Sequence, residues 1–153
     1  MLGRLYEGQN CSAARALELV GERWTLLIVR DALFRGIGRF SEFQRSLGLA
    51  RNVLTVRLER LVEEGLMERR TAAGSTYEEY VLTEKGRNLQ PVIVALTHWG
   101  DRWAAPAGPP IIFEHEDCGG AVDLHATCTA CGGAPTAGKI RARRGPGSVA
   151  NAP

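Results

Sequence analysis

Two groups of residues in this chain have the types and spacing for specific chemistry. The first is a run of arginines. Arg35, Arg39, Arg45, Arg51, Arg57 and Arg60 stand against only Glu42 and Glu59, a local net charge of +4, and the stretch from Glu63 to Glu84 then turns acidic. Cations gathered in one short stretch match a polyanionic backbone, whereas a merely solvated helix face would mix the signs more evenly. The second group lies near the C-terminus, where His115-x₂-Cys118-Gly and Cys128-x₂-Cys131-Gly form two half-sites of like form. Imidazole nitrogen and thiolate sulfur are the donors of a tetrahedral structural zinc site, and one zinc per chain is the expectation. His125 competes with His115 for the fourth place. Only three of the ligands are cysteine and the pairs lie close together, so the competing reading is a β-rich appendage with free thiols.

Cys11 stands apart from these. It precedes Ser12, a good N-cap, and the positive end of a helix dipole favours the reactive thiolate there, with Arg15 one turn on adding to the effect. The competing reading of Cys11 is a small apolar residue in an interface. A thioredoxin-type role for Cys128-Thr129-Ala130-Cys131 is poor, because no βαβ unit surrounds it. No metalloprotease helix motif, P-loop, dinucleotide fingerprint or nucleophile–base pair occurs, so the chain reads as a non-enzyme.

These groups need elements to hold them. Ser12 caps a helix to about Leu19, and Glu22 opens a second whose apolar residues run almost all round it, marking a buried central helix. Arg39-Phe40 reads as a strand stub. Ser41 caps a short helix in which Phe43 and Leu47 face inward. After the turn at Gly48, Ala50 to Glu64 reads as an amphipathic helix. Leu54, Leu58, Leu61 and Val62 lie on one side of it, Asn52, Val56, Glu59 and Arg60 on the other, with Thr55 and Arg57 on the flanks. Gly65 ends it. Leu66 to Thr71 and Tyr77 to Thr83 read as a hairpin around Ala72–Thr76, the size of a wing.

A helix, a turn, a basic second helix and a hairpin form a shape that fits the DNA major groove. In it the second helix enters the groove and the first crosses the backbone. Arg57 and Arg60 are then candidates for phosphate or guanine, Asn52 for adenine and Val56 for a thymine methyl group. Arg39 and Arg51 neutralise phosphate, and Thr55 flanks the same face. The loop lacks Lys and Arg, which leaves Ser75, Thr76 and backbone N–H groups to bind phosphate.

A last long helix is predicted from Thr83 to about Trp103, with an apolar stripe through Leu89, Val92, Ile93, Leu96, Trp99 and Trp103. So much apolar surface on a small domain points to a homodimer. Tyr6, Trp99 and Trp103 could line an aromatic effector pocket at its seam, although such stripes usually pack. Ala105 to Pro110 is a linker by its Pro and Gly content. The expected division is therefore 1–105 and 106–153. The fold class is α+β, mainly α: a winged helix-turn-helix with a long C-terminal dimerisation helix. A small β-rich, zinc-ribbon-like appendage follows, with Ile140 starting a final short strand. Leu26 to Val29 is too short to span a bilayer, and the N-terminal residues lack the apolar core of a secretory signal, so a cytoplasmic bacterial protein with no membrane partner is expected.

Several stretches together carry a family pattern: Cys11 before ALELVGERWTLLIVRDAL, then GRFSEF, RNVLTVRLERLVEEGLMERR, YVLT-EKGR and ALTHWG. From Cys11 to Gly100 the chain resembles the HxlR family of winged-helix transcriptional regulators. The resemblance implies a homodimeric bacterial repressor or activator bound to double-stranded promoter DNA, at an operator expected to be an inverted repeat. It also implies that the cysteine at position 11 can sense oxidants or electrophiles, as in some members, while others answer to small molecules. Two alternatives stand beside the repressor reading: a metal- or ligand-responsive sensor acting through the C-terminal module, and a winged-helix protein-interaction module. The segment from Pro106 lies outside the shared core.

Overall fold

A computed structural model describes residues 10–71, 74 and 76–148. In chain order they form α1 (Ser12–Val20), α2 (Arg23–Arg35), α3 (Phe40–Leu47), α4 (Arg51–Glu63), β1 (Met67–Thr71), β2 (Glu78–Leu82), α5 (Glu84–Arg87) and α6 (Gln90–Trp103). The chain divides into two compact units, Met1–Ile93 and Val94–Pro153.

The first unit is organised around α2. Ile28 and Val29 of this helix are fully buried, and Phe43 of α3, Leu54, Leu58 and Leu61 of α4, Met67 of β1 and Leu82 of β2 join them in one apolar cluster. Burying each such side chain contributes about 1.5–3 kcal/mol, so these contacts fix where α3 and α4 sit. Between the two helices Gly48 adopts φ +64°, a left-handed conformation that suits glycine and lets α4 start after only three residues. β1 and β2 pair antiparallel with Met67 opposite Leu82 and Arg69 opposite Tyr80. The Arg69 guanidinium lies 5.7 Å from the Tyr80 ring centroid, a cross-strand pair that steadies the hairpin.

Local details depart from the sequence expectations for physical reasons. Cys11, not Ser12, is the N-cap of α1. Arg39-Phe40 is no strand: Arg39 is the extended N-cap of α3, its N–H donating to Glu42 Oε2 at 3.1 Å, and Ser41 lies inside the helix. One residue before Arg39, the Gly38 carbonyl accepts from Tyr80 N–H of β2 at 2.8 Å. The long final helix is broken into α5 and α6, because Pro91 has no N–H to offer the Arg87 carbonyl. At the start of α5 Thr83 Oγ1 accepts from Gly86 N–H and donates to the Gly65 carbonyl at 2.7 Å, which ties α5 to the end of α4.

The unit boundary falls inside α6, not at 105/106. Within the second unit His98 of α6 stands 6.2 Å (ring centroids) from Phe113, and its Nδ1 lies 3.5 Å from Asp123 Oδ1, so this end of the helix groups with the segment after it. The β-rich appendage is not formed. Among the described residues after α6 there is one isolated bridge, Glu114 with Ala121, and no strand at Ile140. The reason is a lack of apolar burial: from 106 to 148 only Phe113, Val122 and Pro135 are even half-buried.

Candidate nucleic-acid interface

The turn at Gly48 and the core side of α4 leave the opposite side of α4 in solvent. Arg51, Asn52, Val56, Glu59 and Arg60 are exposed, whereas Leu54, Leu58 and Leu61 are buried. Val56 is 56% exposed, an apolar side chain of the right kind to meet a thymine methyl group. Arg51 sits in the first turn with its guanidinium 5.2 Å from the Phe40 ring centroid, which orients it without neutralising it. Asn52 beside it keeps its amide in solvent.

The other candidates are more committed. Thr55 Oγ1 donates to the Arg51 carbonyl at 2.9 Å and is half-buried. Arg57 turns inward: its Nε lies 3.1 Å from Glu22 Oε2, an ion pair without a well-aligned hydrogen bond. Glu22 also caps α2 by accepting from Trp24 N–H at 3.0 Å. Arg57 therefore fastens α4 to the start of α2. Arg60 pairs with Glu64 at 2.6 Å and Glu63 at 3.7 Å. Arg39 pairs with Glu79 at 3.1 Å and lies 5.8 Å from the Tyr77 ring centroid. Of the six clustered arginines, only Arg45 and Arg51 make no ion pair among the described residues, so the free positive charge is smaller than a count along the chain suggests. Thr76 is exposed at the hairpin loop, and Ser75 lies outside the described residues.

One residue that sequence reasoning passed over holds this arrangement together. Asp31, fully buried in α2, accepts from Arg30 Nε at 2.9 Å and Nη2 at 2.7 Å and from Ser46 Oγ of α3 at 2.5 Å. Arg35 reaches the same Ser46 hydroxyl at 2.5 Å. A carboxylate inside the unit is thus satisfied by charged donors, and it locks α3, the helix that precedes the turn, to α2. The only signal in the sequence was an acidic residue in an otherwise apolar helix.

Cys11 is exposed at the N-terminus of α1. Its sulfur makes no full capping hydrogen bond. The N–H groups of Ala14 and Ala13 nonetheless face it and, with a smaller contribution from Arg15, hold its pKa below the ordinary thiol value. Trp99 and Trp103 project from α6, 62% and 66% exposed, and Tyr6, the third residue of the expected effector pocket, lies outside the described residues. In the second unit His115 Nδ1 is 3.3 Å from Cys118 Sγ. Cys128 is held below the ordinary thiol value by the N–H groups of Cys131 and Ala130 and by the Cys131 thiol. The two pairs stand separately: among the described residues no group of three or more His, Cys, Asp or Glu side chains is placed to hold one metal ion. His125 Nε2 instead lies 2.9 Å from Asp123 Oδ2.

A helix-turn-helix with an exposed second helix and a hairpin behind it defines a winged-helix DNA-binding protein. The HxlR-like helix-turn-helix pattern matches residues 19–107, and the chain belongs to that family of transcriptional regulators. It is 47% identical over 148 residues to Rv3095 of Mycobacterium tuberculosis, named an uncharacterized HTH-type transcriptional regulator, covering 95% of this chain and 92% of the relative. Among solved structures it is similar to PA1607, described as a candidate transcription factor, at 41% identity and a TM-score of 0.81, covering 89% of this chain and 96% of that one. It is also similar to the transcriptional regulator YodB of Bacillus subtilis in its reduced form, at 31% identity and a TM-score of 0.53, covering 64% and 98% of the two chains. YodB has also been solved with quinone bound. Among the described residues no helix is long and apolar enough to cross a membrane.

Proposed function

We propose that this regulator is a homodimeric repressor that reads an inverted-repeat operator through α4 and is released by a thiol-reactive or small-molecule signal. The observation that carries the reading is the division of α4: Arg51, Asn52 and Val56 stand free at its N-terminal end while Leu54, Leu58 and Leu61 anchor the opposite side. A helix so anchored can enter the groove without rearranging. Val92, Leu96, Trp99 and Trp103 form an exposed stripe along α6, and a second copy of the chain is the partner that would cover it and set the half-site spacing. Cys11 supports thiol control: it is exposed and favours its thiolate, and the similar regulator YodB is known with quinone bound. Its site of action is the cytoplasm.

The test is salt-dependent binding to the DNA upstream of the protein's own gene. Arg51→Ala is expected to reduce the slope of log K against log salt by about one, and Asn52→Ala to relax preference at one base pair by about 1–3 kcal/mol. Unchanged affinity, slope and preference in both variants would overturn the assignment of this face. Trp99→Glu is expected to shift the sedimentation coefficient from dimer to monomer, and Cys11→Ser to remove release by quinone while leaving DNA binding intact.

A further inference from the structure

The two turns of the second unit are the same structure built twice. In the first, His115 N–H donates to the Gly120 carbonyl at 2.8 Å, and the His115 carbonyl accepts from Gly119 N–H at 2.8 Å. In the second, Cys128 N–H donates to the Gly133 carbonyl at 2.9 Å, and the Cys128 carbonyl accepts from Gly132 N–H at 2.8 Å. Gly119 and Gly132 occupy the same left-handed position, φ +68° and +70°. A Cβ on Gly120 would lie 3.4 Å from Cys118 Sγ, and one on Gly133 would lie 3.5 Å from Cys131 Sγ, so the second glycine of each turn sits against its sulfur at nearly the same distance. Bare flexible sequence has no reason to close twice into one geometry around two pairs of soft donors.

The first pair also has the spacing of ligands on one ion. Two donors on a tetrahedral zinc, one nitrogen and one sulfur, stand about 3.6 Å apart from their bond lengths, and His115 Nδ1 is 3.3 Å from Cys118 Sγ. The other ring nitrogen of His115 faces the Asp117 carboxylate at 3.5 Å, the outer-shell partner that orients a metal-bound imidazole. His125 has a carboxylate neighbour, Asp123, but no cysteine in contact. Of the two histidines left open in the sequence, this geometry favours His115.

We propose that His115, Cys118, Cys128 and Cys131 bind one zinc ion per chain as two matching halves of a structural site. The residues between the turns, 122–127, form no helix or strand, which leaves them able to bring the halves together. Binding releases the thiol protons to solvent and forms three zinc–sulfur bonds and one zinc–nitrogen bond. The ion replaces the apolar core that this segment lacks. The site is independent of the DNA-reading proposal, since no residue of the winged helix takes part.

The experiment is cobalt(II) and zinc(II) titration of the reduced full-length protein, with metal content measured by mass spectrometry. Expected are one metal per chain, the visible ligand-field bands of tetrahedral cobalt and a thiolate charge-transfer band. Cys118→Ser, Cys128→Ser and His115→Ala should each lose the tetrahedral spectrum, while Cys11→Ser and His125→Ala retain it. Asp117→Asn should weaken zinc affinity by about tenfold with the spectrum unchanged. Octahedral cobalt in the wild type would overturn the site, as would half a metal per chain. Loss of the spectrum in His125→Ala with retention in His115→Ala would overturn the ligand set.

Discussion

The winged-helix unit and the segment after α6 solve the problem of holding a shape in opposite ways. The first buries Ile28, Phe43, Leu54 and Leu58 completely and positions its exposed residues from that core outward. The second keeps Ile111, Ile112, Leu124 and Ile140 exposed and draws its order from tight turns closed by backbone hydrogen bonds. Packing resists surface substitution and gives way to cavities. Turns with soft donors are indifferent to cavities and, holding the proposed zinc, would give way to chelators and oxidants. The two regions should therefore respond to different insults, and a shared response would contradict the contrast.

The largest effect should come from the core. Leu58→Ala, at a fully buried position, is expected to cost about 2–5 kcal/mol of unfolding free energy in urea, with zinc stoichiometry unaltered. A loss of metal in step with the core would show that the regions are not separate. Gly86→Ala comes next. A Cβ there would meet the Leu66 carbonyl oxygen at 2.1 Å and Leu82 Cδ2 at 2.9 Å, where α5 crosses the hairpin. The expected cost is about 1–3 kcal/mol, read as a lowered urea midpoint, and wild-type stability would mean that the crossing is loose.

Asp31→Ala sharpens the comparison from within the core. It leaves Ser46 and the Arg30 and Arg35 guanidiniums without their shared acceptor, at an expected cost of about 1–3 kcal/mol. Because the pin joins α2 to α3, DNA affinity should fall along with stability. Stability loss without loss of affinity would place the pin outside the reading apparatus.

The smallest effect concerns Cys11. The N–H groups that face its sulfur stabilise the thiolate in the folded chain, so its folded pKa lies below its unfolded one. The reactive form then persists as pH falls below the unfolded pKa and is lost only through the lower folded value. Alkylation of Cys11 should therefore have its pH midpoint below that of the same thiol in urea. Coincident midpoints would remove the basis for its reactivity.

Much of the reading unit was legible in the sequence because it depends on local period and punctuation. The spacing of Leu54, Leu58 and Leu61 identifies the buried side of α4, and Gly48 and Gly65 mark its ends. Partnerships between distant residues were not legible. A helical projection puts Arg57 on the flank of α4 but cannot show that Glu22, at the start of another helix, waits there. Nor can it show that the extended Arg39 would serve as a cap because Glu42 reaches back to its N–H. The break before α6 was in principle readable from Pro91. The missing strands of the C-terminal segment were not, since strand-forming residues such as Ile111 and Ile112 make strands only where something pairs with them.

The inward turn of Arg57 bears on how such a regulator could be given a new target. If α4 reads DNA as proposed, a library meant to change its preferred sequence would be well spent on Arg51, Asn52, Val56 and Glu59, whose side chains stand in solvent. Randomising Arg57 would mostly yield loosened helices, and a selection for new specificity would discard them for the wrong reason. Four adjustable letters on a rigid bar, with the fifth serving as a bolt, describe how far this helix can be reprogrammed before it has to be rebuilt.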